Sequence, residues 1–182
     1  MDKFFYHKNY GEKLEKRLYV IALDVDGTII DTNYSWKILT FPPIFKLFLY
    51  LGKRGIYILQ PIEHFFSFLA LEISKDNIQE RINRISYFIE KFKECGISLF
   101  FLSDSFTFKY LNLNTPFFKS YETKGLILKV LKENSNLIAY ITDSQEEESK
   151  LKNLGIKVIR VKRVKETFYV LKSILSRYCQ NH

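Results

Sequence analysis

Carboxylate and hydroxyl side chains recur at three points of this sequence, each time directly after a short apolar run. They are Asp24 and Asp26 after residues 18–23, Ser103 and Asp104 after 97–102, and Asp143 and Ser144 after 137–142. Oxygen ligands of this kind suit Mg²⁺, which binds one or two carboxylates and a substrate phosphate and keeps several waters. Carboxylates placed together repel one another unless a cation lies between them. Their chemistry therefore predicts a site for Mg²⁺ and a phosphorylated ligand.

The apolar runs are the elements that would position these side chains. Each run is too short for a helix and rich in strand-forming residues, which is typical of a buried strand. Alternation of strands and helices predicts an α/β fold, a Rossmann-like parallel sheet flanked by helices, whose ligands collect at the carboxyl ends of the strands. The predicted strands are 18–23, 97–102, 137–142 and 156–161, and the predicted helices are 74–95, 125–133, 146–154 and 166–178.

The composition is that of a folded domain with an excess of positive charge. Hydrophobic residues make up 47% of the 182, which excludes a disordered chain, and the scarcity of Gly and Pro excludes collagen-like and low-complexity classes. The net charge of +8 favours anionic partners: nucleic acid, a membrane surface or phosphorylated small molecules. Composition does not choose among the three, and a lysine-rich surface carries the same charge.

The cysteines and the hydropathy predict a cytoplasmic protein. The spacing of Cys95 and Cys179 matches no zinc or disulfide framework, so we expect a reducing compartment and ordinary packing or surface roles for both. Residues 1–17 are polar and charged, unlike a secretory signal. The most apolar stretch, 41–73, is interrupted by charged and polar residues, so no transmembrane segment is expected.

The chain between the first two strands is longer than one connection requires. Asp24 and Ser103 are 79 positions apart, and a single helix with its turns needs about half of that. The surplus is aromatic and aliphatic with scattered basic residues, and Pro and Gly divide it into two or three short helices. We therefore predict an α/β core at 1–33 and 74–182 and a small helical insert at 34–73.

Four segments together resemble the motifs of the haloacid dehalogenase superfamily of phosphohydrolases. Asp24-Val-Asp-Gly-Thr28 resembles motif I, and Ser103 after Phe-Phe-Leu resembles motif II. Lys124 and the helix after it resemble motif III of phosphoserine-phosphatase-like members, and Asp143-Ser-Gln-Glu-Glu147 resembles motif IV. The segments fall in the family's order. Taken singly, each also has an ordinary explanation as a turn, a helix cap or a solvated first helical turn.

The resemblance implies a role for each acidic residue. Asp24 would attack phosphorus and form an aspartyl-phosphate. Asp26 would protonate the leaving oxygen and then activate the hydrolytic water. Mg²⁺ would be held by Asp24, the main-chain carbonyl of Asp26 and Asp143, and would neutralise charge between carboxylate and phosphate.

The resemblance also implies a phosphate subsite. Ser103 and Lys124 would bind the transferring phosphoryl oxygens as positioning donors for a spread negative charge. Asp104 would line this subsite or cap the turn that follows. The supporting residues would be Thr28, Ser144 and Glu147.

Two residues depart from the family pattern. Thr142 stands where motif IV usually has Gly, and Glu147 stands where it usually has a second Asp. Glu is longer but can serve in a water-mediated shell, so we expect activity to survive. The motif III lysine has an alternative in Lys119, because the interval of 19 positions from Lys124 to Asp143 is short for the family.

At the position of the insert, the family has a C1-type cap that closes over the site, excludes water and selects the substrate. The aromatic residues of the insert would pack its own core and its seam with the sheet, or would form an apolar pocket for a lipid-like phosphate. Candidates for holding an anionic substrate group are Lys46, Lys53, Arg54 and His64. The aromatic residues are Trp36, Phe41, Phe45, Phe48, Tyr50, Tyr57, Phe65, Phe66 and Phe68.

The predicted function is that of a Mg²⁺-dependent phosphohydrolase, monomeric or homodimeric, that cleaves a small phosphomonoester. A phosphotransferase or mutase of the same fold, or a catalytically degenerate binding or regulatory module, is the alternative. A nucleic-acid-binding protein is a third hypothesis because residues 157–165 are rich in Lys and Arg. No recognised nucleic-acid motif accompanies that cluster, so no specific nucleic-acid partner is expected.

Overall fold

The central feature of the fold is a sheet of five parallel strands. The computed structural model describes residues 18–32, 50, 60–73, 78–113, 115–119 and 123–179. The order across the sheet is β3-β2-β1-β4-β5, which makes the first strand the central one and confirms the predicted α/β fold with a parallel sheet. The strands are β1 (Tyr19–Asp24), β2 (Ile97–Ser103), β3 (Phe117–Lys119), β4 (Asn136–Thr142) and β5 (Val158–Arg160).

Helices cover both faces of the sheet. One face carries α2 (Ile78–Glu94) and α5 (Val164–Cys179), which share a large apolar core with β1, β2 and β4. The other face carries α3 (Lys124–Asn134) and α4 (Gln145–Lys152), which pack around Tyr140 and Leu102. Because both faces are buried, the strands are nearly continuous apolar runs. The remaining described helices are α1 (Gln60–Ile73) and a 3₁₀ helix (Thr107–Leu111), which contact each other.

The helix α2 forms where apolar residues recur at helical spacing. Ile85, Phe88 and Phe92 lie on the stripe that faces the sheet and are buried. Each such side chain stabilises the fold by about 1.5–3 kcal/mol on burial. The helix ends before Gly96, whose φ of 71° is in the left-handed region that favours glycine after a helix.

The turn after β1 is fixed by its own main chain and by α5. The Ile29 N–H donates to the Val25 carbonyl at 2.9 Å, and the Gly27 N–H donates to the Ile30 carbonyl at 2.7 Å. Gly27 has a φ of 75°, which an L side chain rarely adopts. On the far side, the Thr167 hydroxyl of α5 donates to the Thr28 carbonyl at 2.6 Å. This turn therefore has little freedom to move relative to the sheet.

The sequence does not predict the edge strand β3. The strand has three residues, which is too short to show any periodicity. It forms because Phe117 pairs with Phe101 of β2 and stacks on Phe108, with ring centroids 4.5 Å apart. Tertiary packing, rather than a local pattern, makes this segment a strand.

The prediction of ordinary packing or surface roles for Cys95 and Cys179 is wrong. The two form a disulfide, with Cα atoms 5.5 Å apart. Because α2 leads into β2 and α5 follows β5, both helices run antiparallel to the strands and end at the amino edge of the sheet. The cysteines are 84 positions apart, so the topology alone brings them together.

The predicted insert at 34–73 lies largely outside the described residues, which include only residue 50 and 60–73 of it. Of the cationic candidates, Lys46, Lys53 and Arg54 lie outside the described residues, whereas His64 belongs to α1. No helix in the described ranges is long and apolar enough to cross a membrane.

Loss of the disulfide should lower stability, because closing a long loop restricts the unfolded chain. We expect Cys179→Ser to reduce the free energy of unfolding by about 2–4 kcal/mol in a denaturant titration without reductant. With reductant, the variant and the original chain should unfold alike. Ser176→Ala, an exposed change in the same helix, is the control. Identical unfolding of the variant and the original chain without reductant would contradict the prediction.

Candidate active site

Asp24 is the last residue of the central strand and lies buried at the carboxyl edge of the sheet, with 6% of its surface exposed. It is aligned with Leu102 on β2, and the preceding Leu23 is aligned with Ile141 on β4. The ends of three strands are therefore neighbours, as the sequence predicts. A carboxylate in this position is surrounded by protein rather than water.

Lys124 is the first residue of α3, and its side chain reaches into this buried region. Its Nζ lies 3.0 Å from Asp24 Oδ1 and 2.8 Å from Glu147 Oε1. Asp104 Oδ1 lies farther away, at 3.7 Å. One ammonium therefore links the carboxyl ends of β1 and β2 to the first turn of α4. The alternative lysine, Lys119, ends β3, and its side chain is outside the described residues.

The second oxygen of Glu147 is held by two hydroxyl groups of β4. Tyr140, which is fully buried, donates to Glu147 Oε2 at 2.8 Å, and Thr142 donates to the same oxygen at 2.8 Å. Thr142 Oγ1 in turn accepts the Ser144 N–H at 3.1 Å. The longer acid at position 147 and the threonine at position 142 thus form one hydrogen-bonded unit, which gives both departures from the motif IV pattern a structural role.

The electrostatics of this group follow from its burial. Burial raises the pKa of Asp24 to about 8, against the opposing effect of Lys124 and with support from Glu147 and Asp26. Burial also lowers the pKa of Lys124, but the carboxylates of Asp24, Asp104 and Glu147 outweigh it and hold the net pKa well above its usual value. Lys124 is therefore the permanently charged member of the pair.

The pKa values of Glu147 and Tyr140 shift in opposite directions, that of Glu147 downwards and that of Tyr140 upwards. Burial favours the neutral form of Glu147, but the Lys124 ammonium and the hydrogen bonds from Lys124, Tyr140 and Thr142 outweigh it and lower the pKa. Burial and the nearby carboxylates of Asp24 and Glu147 raise the pKa of the Tyr140 hydroxyl, which stays a donor. Glu147 is thus a fixed anion that orients the lysine.

The donor chemistry around Asp24 fits a divalent cation. Its Oδ1 accepts from Lys124, but its Oδ2 faces the Thr142 hydroxyl at 3.5 Å, and that hydroxyl's single proton serves Glu147 at 2.8 Å. Oδ2 therefore retains capacity as a ligand in the described part of the chain. Asp143 follows β4, the neighbour of β1, and supplies a second carboxylate at the same edge.

Within the described residues, no group of three or more His, Cys, Asp and Glu side chains is arranged to hold a metal ion. The set predicted for Mg²⁺ contains two carboxylates, those of Asp24 and Asp143, and the main-chain carbonyl of Asp26. This set has only two side-chain ligands, so it falls below the three that define the groups in that finding. Mg²⁺ accepts such a set because it keeps several of its waters.

Asp26 lies in a separate cluster of hydroxyl groups. Ser103 donates to its Oδ2 at 3.1 Å, and Thr107 donates to the same oxygen at 2.9 Å. Ser105 and Thr32 also donate to this carboxylate. Ser103, which the sequence predicts to bind phosphate, is fully buried. Its hydrogen bond to Asp26 places it beside the predicted acid–base residue.

The remaining predicted residues occupy varied positions. Ser144 caps α4, where its hydroxyl accepts the Glu147 N–H at 3.2 Å. Thr28 is fully buried, and its hydroxyl has no hydrogen-bond partner among the described residues. Asp104 and Asp143 are both half-buried at the ends of their strands.

Sequence reasoning misses most of the groups that hold the acids. The alternation Ser103-Asp-Ser105-Phe-Thr107 places three hydroxyls on one side of the chain after β2, and it is the one local signal for the cluster around Asp26. Thr32 offers no comparable pattern. In the sequence, Tyr140 is typical of a core residue of a strand, because its apolar ring gives no sign that its hydroxyl has a polar partner.

The loop after β2 is also tied to α1. The Phe106 N–H donates to Ser67 Oγ at 3.1 Å, and the His64 ring stacks on the Phe106 ring with centroids 3.6 Å apart. The described part of the insert thus contacts the loop that carries Ser105 and Thr107.

Comparison with known proteins identifies no family for this chain. No protein-family model matches it, and a search of curated proteins finds no significant match.

The raised pKa of Asp24 predicts a pH-dependent stability. A carboxyl group whose folded-state pKa is raised contributes stability below its unfolded pKa and loses it as the pH rises through about 8. In metal-free buffer, the free energy of unfolding should therefore fall from about pH 5 to 8. Asp24→Asn should remove most of this fall, whereas Glu133→Gln, an exposed change on α3, should leave it unchanged. Equal pH profiles for Asp24→Asn and the original chain would count against the assignment.

Tyr140→Phe should remove one hydrogen bond to a charged carboxylate without changing the ring. We expect the free energy of unfolding at neutral pH to drop by about 1.5–3 kcal/mol. The loss should shrink in acid, where Glu147 is protonated. Tyr87→Phe, at an exposed tyrosine of α2, serves as the matched control. If both variants lost the same stability, the hydrogen bond to Glu147 would carry no special weight.

Proposed function

We propose that this protein is a Mg²⁺-dependent phosphohydrolase that cleaves a small phosphomonoester through an aspartyl-phosphate. The observation that carries the proposal is the buried Asp24 at the end of the central strand, 3.0 Å from the Lys124 ammonium. Such a carboxyl group is fixed, shielded from water and adjacent to a permanent positive charge, and bound Mg²⁺ would displace the proton that it holds at pH values below its pKa of about 8. These are the conditions under which a carboxylate can attack phosphorus while the phosphoryl charge is stabilised.

Asp24 is the nucleophile in this proposal. Its Oδ1 is held by Lys124, which leaves Oδ2 to serve as a metal ligand or to face the phosphorus. Bound Mg²⁺ would neutralise charge between the carboxylate and the phosphate, which otherwise repel each other. Asp24, Asp143 and the main-chain carbonyl of Asp26 would hold it. Lys124, whose ammonium Glu147 holds at 2.8 Å, would donate to a phosphoryl oxygen.

Asp26 is the proposed general acid and base. It protonates the leaving oxygen and later takes a proton from water, so its carboxyl group needs a fixed orientation and access to a proton. The hydroxyls of Ser103, Ser105 and Thr107 supply that orientation. In this proposal the Ser103 hydroxyl, which accepts the Ser105 N–H at 3.0 Å and donates to Asp26 at 3.1 Å, would contact a phosphoryl oxygen beside Asp26.

The insert is proposed as a small cap that closes over the site. Supporting this, α1 contacts the loop between β2 and the 3₁₀ helix through Ser67 and His64. In the described part of the insert, Phe65 is 57% exposed, so its ring is available to a substrate or to the rest of the insert. A lipid-like phosphate is the substrate class that such a ring would favour.

A cytoplasmic location remains a prediction from the sequence. The Cys95–Cys179 disulfide weighs against it, because cytosolic thiols are usually kept reduced. The redox state of this cysteine pair in the native protein decides between a reducing and an oxidising compartment.

The test is hydrolysis of p-nitrophenyl phosphate by the purified protein. We expect turnover that requires Mg²⁺ and stops on chelation. Asp24→Asn should lower kcat by about 10³-fold or more, since it removes the attacking group. Glu133→Gln, a carboxylate-to-amide change outside the site, should keep full activity.

A broad panel of phosphate esters follows the first assay. Hydrolysis that persists in Asp24→Asn would refute the proposed nucleophile. Absence of turnover by the original chain on the whole panel would favour the degenerate binding or regulatory module. Transfer of phosphate to an added alcohol faster than to water would assign the protein as a phosphotransferase.

A further inference from the structure

A second charged cavity lies at the carboxyl edge of the sheet, against the turn after β1. Its volume is about 280 Å³. The first turn of α2 forms one side, and the segment that joins β5 to α5 forms the other. The side chains and main chain that line it include Gly27, Asp31, Arg81, Lys162, Arg163 and Lys165.

Among the described residues, the charges that line this cavity do not balance. Four cationic side chains and one carboxylate, that of Asp31, leave a formal charge of +3. Of the neighbouring acids, Glu80 pairs with Arg84 at 2.6 Å, outside the cavity lining, and Glu166 lies at the cavity's edge, where it accepts the main-chain N–H of Lys162 at 2.8 Å. None of the four cations forms an ion pair within the described residues.

The walls of the cavity are fixed in place. The Val161 N–H donates to the Thr142 carbonyl at 2.9 Å, which anchors the segment before α5 to β4. Thr167, in the first turn of α5, donates to the Thr28 carbonyl at 2.6 Å. The positive end of the α5 dipole also points towards this region. The main chain that carries three of the four cations is therefore fixed before any ligand arrives, which reduces the ordering cost of binding.

We infer that this cavity binds a phosphate-sized dianion of a small phosphorylated ligand, at a site distinct from Asp24 and Lys124. Arg81 and Arg163 can each donate in a fork to phosphate oxygens, while Lys162 and Lys165 act as point charges. The four cations surround a concave space rather than follow a long stripe. A small anion fits this arrangement better than the extended backbone of a nucleic acid does.

The cavity is connected through the main chain to the proposed catalytic residue Asp26. Gly27 lines the cavity and is bonded to Asp26, so an anion in the cavity lies against the same turn that carries Asp24 and Asp26. Binding itself does not depend on the proposed phosphohydrolase activity and can be measured without turnover.

The experiment is an amide-resolved NMR titration of the full chain with sulfate, a dianion that cannot be hydrolysed as an ester. We expect saturable shifts of the amides of Gly27 and residues 162–165. The double variant Arg163→Gln/Lys165→Gln should bind sulfate here at least about tenfold more weakly, as expected for the loss of charged hydrogen bonds. The control is Lys172→Gln/Arg177→Gln, which removes the same charge from exposed positions of the same helix.

Three outcomes would overturn the inference. One is shifts that do not saturate, and another is equal weakening by the double variant and its control. The third is tight, salt-dependent binding of an oligonucleotide that competes with sulfate at these amides, which would assign the surface to nucleic acid instead. Unchanged thermal unfolding of both double variants excludes misfolding as the cause of weaker binding.

Two further probes identify where the anion comes from. Ethyl phosphate carries one phosphate, and ethylene glycol bisphosphate carries two. Tighter binding of the bisphosphate, lost in Arg163→Gln/Lys165→Gln, assigns the anion to a second group of the substrate. Equal displacement of sulfate by the two probes assigns it to a separate phosphorylated ligand. Sulfate binding that neither probe displaces would contradict the inference, because the cavity would then bind no phosphate ester. Absence of phosphatase activity would not affect it.

Discussion

The buried ammonium of Lys124 is the interaction on which the arrangement of the carboxyl edge depends. Removing a charge from water costs several kcal/mol, and the cost is offset only by well-placed partners of opposite charge. Asp24 and Glu147 are those partners, at 3.0 and 2.8 Å. They come from β1 and from the first turn of α4, so one positive charge fixes the relative positions of three elements. Glu147 is the partner that stays ionised, and its loss would leave the buried ammonium largely uncompensated, at about 3–5 kcal/mol.

The same constraint accounts for the polar side chains of β4. A buried carboxylate that pairs with a lysine through one oxygen needs hydrogen bonds to its second oxygen. Without them, the free-energy cost of burying the carboxylate would exceed the gain from the ion pair. Tyr140 and Thr142 satisfy it with two hydroxyls on the strand directly beneath Glu147. A glycine at position 142 would remove one of these donors. A shorter acid at position 147 would need a different geometry to meet both the lysine and the two hydroxyls.

Much of this fold could be predicted from the sequence, because buried parallel strands leave unbroken apolar runs and their polar ends mark the functional edge. The edge strand β3 could not, since three residues carry no period and their pairing with Phe101 is a tertiary event. The disulfide and three of the hydroxyls around Asp26, those of Ser103, Ser105 and Thr107, join residues about 80 positions apart. The residue types show which side chains can form a bond. Which of them lie close together depends on how the helices connect the strands.

The hydrogen bond from Thr167 to Thr28 has a consequence for the order in which this protein is assembled. The two residues are 139 positions apart, so the ribosome delivers the turn after β1 long before the helix that fastens it. The strand partners of β1 are also made later, β2 first and β4 afterwards. Neither the hydrogen bond to Thr167 nor the strand pairing can form before these later segments have been made. The start of α5 also contributes to the cationic wall of the cavity, so the turn and that wall take their final positions together.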